Sequence, residues 1–122
     1  MADAMADPIV RRAESDDAPE IADLYLEIAA EVIAREPSLR HVSAVEGIAQ
    51  RYQSRIADRN RGVFVALTDG AVVGFSDTVL HLHEDEATYH LPGVDGYVEE
   101  LVVTAAYRRR GFASALIRAA AA

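Results

Sequence analysis

The chain has 122 residues, 51% of them hydrophobic, a formal net charge of −8 and no cysteine. That length and composition fit one globular domain with its own core. The lack of cysteine excludes disulfides, thiol catalysis and Cys-based zinc sites, and the acidic balance argues against nucleic acid, whose binding rests on neutralising phosphates.

The opening MADAMAD is acidic and lacks the basic and apolar regions of a signal peptide. Residues 1–7 are expected as a disordered tail ahead of one domain over 8–122. No apolar run approaches membrane-spanning length, so a cytoplasmic protein without a membrane partner is expected. Ile9-Val10 begins a short first strand. Asp17 and Glu20 then form a capping-box pattern with Pro19 in the first turn. The helix they start has Ile21, Leu24, Tyr25, Ile28 and Val32 on one face, and Pro37 ends it. A second helix is capped by Ser43 with Glu46 three residues on. Its face is Val45, Ile48, Ala49, Tyr52 and Ile56, and it stops near Asn60 to Gly62. Tyr25 and Tyr52 read as core residues of these faces.

The pattern then changes. VFVALTDGAVVGFSDTVLHL is two strands about Asp69-Gly70, a strong hairpin signal. HEDEATYHLPGVDG is a polar, turn-rich connection, and GYVEELVVT is a further strand rich in β-branched residues. From Phe112 onward, Phe112, Leu116 and Ile117 recur at helical spacing among alanines. The order β-α-α-β-β-β-α makes an α/β or α+β domain with helices able to cover both faces of a sheet.

The start of the last helix breaks a local rule. A helix N-terminus carries unpaired N–H groups and partial positive charge, yet Arg108, Arg109 and Arg110 precede it, followed by Gly111. Either three solvated arginines tolerate a penalty of a few tenths of a kcal/mol, or an anion sits there, as at other glycine-flanked helix starts.

With its upstream strand, VEELVVTAAYRRRGFASALI resembles the GNAT superfamily of acyl-CoA-dependent N-acyltransferases. The family signature Arg/Gln-x-x-Gly-x-Gly/Ala is filled by Arg108, Gly111 and Ala113. Tyr107, the apolar Leu101-Val102-Val103 and the opening IVRRAESDDAPEIADL also fit. The resemblance implies a mixed, mostly antiparallel sheet with helices on both faces, and acetyl-CoA as co-substrate. It implies that backbone amides of Arg109, Arg110, Gly111, Phe112 and Ala113, with Ser114 nearby, cradle the pyrophosphate. It implies too that the backbone of Leu101, Val102 and Val103 pairs with the pantetheine arm, with an oxyanion donor near Val102.

Acyl transfer to an amine needs a base, often acting through water. Glu99 matches the family position where a carboxylate frequently serves, and Glu100 is the neighbouring candidate. Strict alternation places the two on opposite faces, and the bland alternative is that they pair with arginine at a sheet end. His81 and His83 share one face of their strand. With Glu84, Asp85, Glu86 and His90 they could be imagined as a metal site, but a solvated strand end or a lining of the acceptor pocket is the reading kept, and no metal is expected. The Glu84–Glu86 run would favour a cationic acceptor amine.

Family members continue past this last helix with a fifth strand, a fourth helix and a hairpin, which the sequence lacks. The expectation is therefore an N-acetyltransferase acting on a primary amine of a small molecule or protein. The alternative is a truncated or degenerate domain that binds coenzyme A or a partner chain without catalysis. The strand Tyr97 to Thr104 would then be an unfinished edge, and a homodimer is expected to close it.

Overall fold

The structure, a computed structural model, describes residues 9–36, 45–83 and 93–121. In chain order these form β1 (Ile9–Arg12), a 3-10 turn (Ser15–Asp17), α1 (Ala18–Arg35), α2 (Val45–Ala57), β2 (Arg61–Thr68), β3 (Ala71–His83), β4 (Gly93–Val103), a second 3-10 turn (Ala105–Tyr107) and α3 (Phe112–Ala121). This is the expected α+β order. The tail, the Ser43 cap and the connection carrying Glu84, Asp85, Glu86 and His90 lie outside the described residues.

The sheet order is β1-β2-β3-β4, and each neighbouring pair is antiparallel. No parallel pairing occurs among the described strands. The β2–β3 hairpin turns on Asp69 (φ 50°) and Gly70 (φ 79°), and two consecutive positive φ angles match the right-handed twist of the flanking strands.

Alternation along β2 explains the layers. Val63, Val65 and Leu67 pack with Ile21 and Leu24 of α1 and Ile48 and Tyr52 of α2. Phe64 and Ala66 point the other way and meet Phe112 and Leu116 of α3. Helices therefore cover both faces, as expected. Full burial of side chains such as Ile21, Ile48 and Phe75 stabilises the fold by ~1.5–3 kcal/mol each. α3 rests directly on the sheet at Gly74, where an added Cβ would lie 2.9 Å from the Val102 carbonyl oxygen and 3.5 Å from Leu116 Cδ1.

One expected cap is corrected. Asp17 does not cap α1 with its side chain, and the capping box sits one turn earlier, in the 3-10 turn. There the Glu14 N–H donates to Asp17 Oδ2 at 2.7 Å, and Arg11 donates to both Asp17 oxygens at 2.8 and 3.1 Å. Arg11, on the neighbouring strand, recruits Asp17 away from the helix start. Glu20 instead accepts the Val72 N–H at 3.3 Å, tying α1 to β3.

Candidate functional site

Two groups of residues flank the C-terminal half of β4. The first is the connection to α3. Arg109 (φ 64°) and Gly111 (φ 86°) both lie in the left-handed region. Gly111 adopts it freely, whereas Arg109 stores strain of ~1 kcal/mol. These two reversals turn the chain sharply into α3. The first intrahelical bond runs from Ala115 N–H to the Gly111 carbonyl at 3.0 Å, so the amides of Phe112, Ala113 and Ser114 precede the helical ladder. An added Cβ at Gly111 would meet nothing within 4 Å, so the glycine faces open space.

Gly111 lines a cleft of about 290 Å³ together with Val103, Tyr107, Arg108, Arg109, Ala113 and Ser114. Phe112 instead anchors the helix in the core, edge-on to the Tyr107 ring at 5.7 Å, and the Arg110 guanidinium lies 5.2 Å from the centre of the same ring. Arg108 is already engaged: it donates to the Val103 carbonyl at 2.8 Å and to both Glu31 oxygens at 3.1 and 3.2 Å. Of the loop positions read from sequence, Arg108, Arg109, Gly111, Ala113 and Ser114 thus line one cleft, while Phe112 and Arg110 pack against the Tyr107 ring and do not line it.

The edge of β4 supplies a second feature. Thr104 N–H bonds the Val73 carbonyl at 2.9 Å and Val103 stands opposite Gly74. In an antiparallel ladder, alternate residues share the pairing direction. The polar groups of Val102 therefore face β3, and those of Leu101 and Val103 face the outer edge, which carries no further strand among the described residues.

The second group of residues corrects the sequence reading. The β3–β4 register slips between Asp77 and Thr78, so that Asp77 opposes Glu100, Thr78 opposes Val98, and Glu99 is the extra residue of a bulge. Alternation fails there, and Glu99 and Glu100 do not fall on opposite faces. Both reach Arg55 of α2, at 3.8 and 3.5 Å. Arg61 of β2 donates to Glu99 at 2.7 Å and to both Asp77 oxygens at 3.0 Å. Arg55 donates to Asp77 at 2.6 Å, and the Tyr52 hydroxyl donates to Glu100.

Three carboxylates thus face two arginines on the α2 side of the sheet. Asp77 is wholly buried, whereas the Glu99 and Glu100 side chains keep 38% and 26% of their exposure, enough to meet a substrate. The Arg61 hydrogen bond holds the Glu99 carboxyl below its ordinary range. Burial, with the hydrogen bond to Glu100, pushes the Tyr52 phenol well above its ordinary value.

Sequence reasoning missed Tyr52, Arg55, Arg61 and Asp77 as site residues. Tyr52 is indeed core, with its ring 5.3 Å from that of Phe75, but its hydroxyl leaves the core for Glu100. One signal was available: Asp77 is the lone carboxylate of β3, set between apolar stretches at residues 72–75 and 79–80, where an unpaired charge would be prohibitive. His81 and His83 stand opposite Asp95 and Gly93 near the far end of β3, away from Glu99 and Glu100 in the strand register. No group of three or more His, Cys, Asp or Glu suited to a metal occurs among the described residues.

A family model described as acetyltransferase (GNAT) family matches residues 20–122. No curated protein matches the chain. Among solved structures, a mutant form of the BH1408 protein from Bacillus halodurans superposes with a TM-score of 0.76 at 17% identity, covering 91% of this chain and 71% of that one. An acetyltransferase from Vibrio fischeri gives 0.69 at 21% identity, with coverage of 92% and 82%. An aminoglycoside antibiotic 6'-N-acetyltransferase from Acinetobacter haemolyticus gives 0.67 at 18% identity, with coverage of 93% and 68%. At such identities these likenesses establish the fold.

Proposed function

Because the chain belongs to the GNAT acetyltransferase family, we propose that it transfers an acetyl group from acetyl-CoA to a primary amine of a small molecule or protein. The observation that carries this reading is the cleft at the start of α3. In a chain of net charge −8, a left-handed glycine, two residues whose amides precede the helical ladder (Ala113 and Ser114) and two arginines line one open space. That combination suits a pyrophosphate. The outward N–H of Val103, which lines the cleft, and the outward N–H and C=O of Leu101 farther along the edge suit the amides of a pantetheine arm, while the Val103 carbonyl is held by Arg108.

The thioester carbonyl would then lie along β4 toward the Glu99–Glu100 bulge. The acceptor nitrogen attacks that carbonyl, the C–S bond breaks, the sulfur leaves as thiolate, and the proton that the nitrogen sheds on becoming an amide passes to that thiolate through water. The ammonium proton must first be removed, and Glu99 is the assigned base, acting directly or through water, with Glu100 beside it. Arg61 keeps Glu99 ionised and able to accept a hydrogen bond, but also lowers its proton affinity. An outward strand amide beside Val102 would donate to the oxyanion. Three carboxylates against two arginines leave this end of the site net negative, which favours a cationic acceptor.

The test is release of free thiol from acetyl-CoA in the presence of a panel of amines. The chain has no cysteine, so a thiol-reactive dye reads coenzyme A alone. Acetyl-CoA binding without thiol release would support the second reading, a binding domain without catalysis, which the tight Arg61–Glu99 pair favours.

The same proposal includes a cytoplasmic protein that self-associates through the outer edge of β4, and a dimer formed there competes with the pantetheine arm for that edge and weakens acetyl-CoA binding. Its support is that no described helix is long and apolar enough to cross a membrane, and that Val98 and Leu101 are 39% and 37% exposed beside an unpaired edge. Light scattering that finds a monomer at tens of micromolar would remove the dimer.

A further inference from the structure

On the acyl-CoA reading of the β4–α3 loop, we infer that Glu27 and Glu31 of α1 are positioning residues for that loop, gripping it at two points from outside the motif. Glu27 takes the start of the connection: Thr104 Oγ1 lies 2.9 Å from each of its oxygens and donates its single proton to the pair, and the Ala105 N–H donates to one of them at 3.1 Å. Glu31 takes the middle: Arg108 donates to both of its oxygens while also donating to the Val103 carbonyl.

The arrangement has a physical rationale. Glu27 and Glu31 are one helical turn apart, and like charges at that spacing destabilise a helix. Their common partner is the loop, whose arginine and free N–H offset the repulsion. Arg108 is a strut between α1 and the end of β4, its guanidinium bridging a backbone carbonyl and a carboxylate. A lysine has the charge but not the fork to bridge both. Between the two anchored points and α3, Arg109 and Gly111 hold left-handed conformations, and strained backbone of this kind persists only where its surroundings fix it. The grip also links the cofactor loop to α1, which packs against α2 and so against the helix that carries Tyr52 and Arg55.

The sign of the effect on binding separates positioning from bystander electrostatics. As mere neighbouring charges, both carboxylates repel a pyrophosphate, so neutralising either would tighten acetyl-CoA binding. As positioning groups, their loss disorders the amide cradle, and binding weakens although the site has become less negative.

The experiment is calorimetry with acetyl-CoA on the 122-residue chain, comparing the parent with Glu27→Gln, Glu31→Gln and Arg108→Lys. Affinity is expected to fall about tenfold in each. Unchanged or tighter binding overturns the assignment for the residue concerned. A second readout needs no ligand: the amide NMR signals of Gly111 and Ala113 are expected to move in Glu27→Gln, and signals that stay put overturn the grip whether or not the parent binds acetyl-CoA. Signals that move in a parent unable to bind acetyl-CoA would support the grip while removing the acyl-CoA reading. Should Glu27→Gln fail to fold, Thr104→Val removes the same hydroxyl contact with little change of shape and carries the comparison.

Discussion

The β4–α3 loop and the β4 bulge lie at the two ends of the segment from Glu99 to Ser114, and they are built in opposite ways. The loop is local. Its reversals at Arg109 and Gly111, its small Ala113 and its helix start all come from consecutive residues. The bulge is assembled across space: Tyr52 and Arg55 from α2, Arg61 from β2, Asp77 from β3, and Glu99 and Glu100 from β4. The loop exposes unpaired donors to an open cleft, whereas the bulge encloses charges that satisfy one another. A glycine-flanked helix start can be written in one stretch of chain; a cluster of opposed charges needs the sheet.

The two regions should break differently. The largest effect is expected at the bulge, in Asp77→Ala. Removing this fully buried carboxylate leaves Arg55 and Arg61 without their shared partner, and because those side chains keep about a fifth of their exposure the loss is expected at ~2–3 kcal/mol. Chemical denaturation measures it, and a loss under ~1 kcal/mol would show that the cluster is not cooperative.

At the loop the larger expected effect is on ligand binding. Gly111→Asp forces a side chain into a left-handed position, which costs ~1 kcal/mol and lowers the melting temperature by a few degrees, and places a negative charge in the cleft, so acetyl-CoA affinity should fall about a hundredfold. Equal affinity in calorimetry would dissociate the cleft from the cofactor.

Glu99→Gln sharpens the comparison further, because it should leave acetyl-CoA affinity alone and lower the rate. The expected reduction near neutral pH is about tenfold, at or below the lower end for general-base catalysis, because Arg61 has weakened the base. The rate should recover at high pH, where the amine deprotonates itself. A pH–rate profile unchanged from the parent would move the role to Glu100 or to a bound water.

The smallest effect belongs to neither region and serves as a control. Arg11 lowers the Asp17 carboxyl below its ordinary 3.8. A depressed carboxylate contributes stability that is fully present above the unfolded-state value and is lost as pH falls through the lower folded value. Arg11→Met should therefore destabilise by under ~1 kcal/mol at pH 7, the pair being partly exposed, and the difference from the parent should fade below about pH 4. Acid melts of both proteins read it, and a difference that persists at pH 2 would assign the effect to packing.

What the sequence by itself determined is what depends on neighbours along the chain. The periodicities of α1, α2 and α3, the Asp69-Gly70 hairpin and the glycine-flanked helix start were legible because each is decided by residues within a few positions of one another. The tertiary structure decided the rest. Asp17 left its expected cap because a strand arginine lies within reach, and Tyr52 proved both core residue and hydrogen-bond donor because β4 passes its rim. Glu99 and Glu100 came to one side because a single-residue slip against β3 suspends alternation, and nothing in VEELVV announces that slip. Register is fixed by pairing between strands about 20 residues apart, so the chemistry of these two carboxylates became visible only when the sheet was formed.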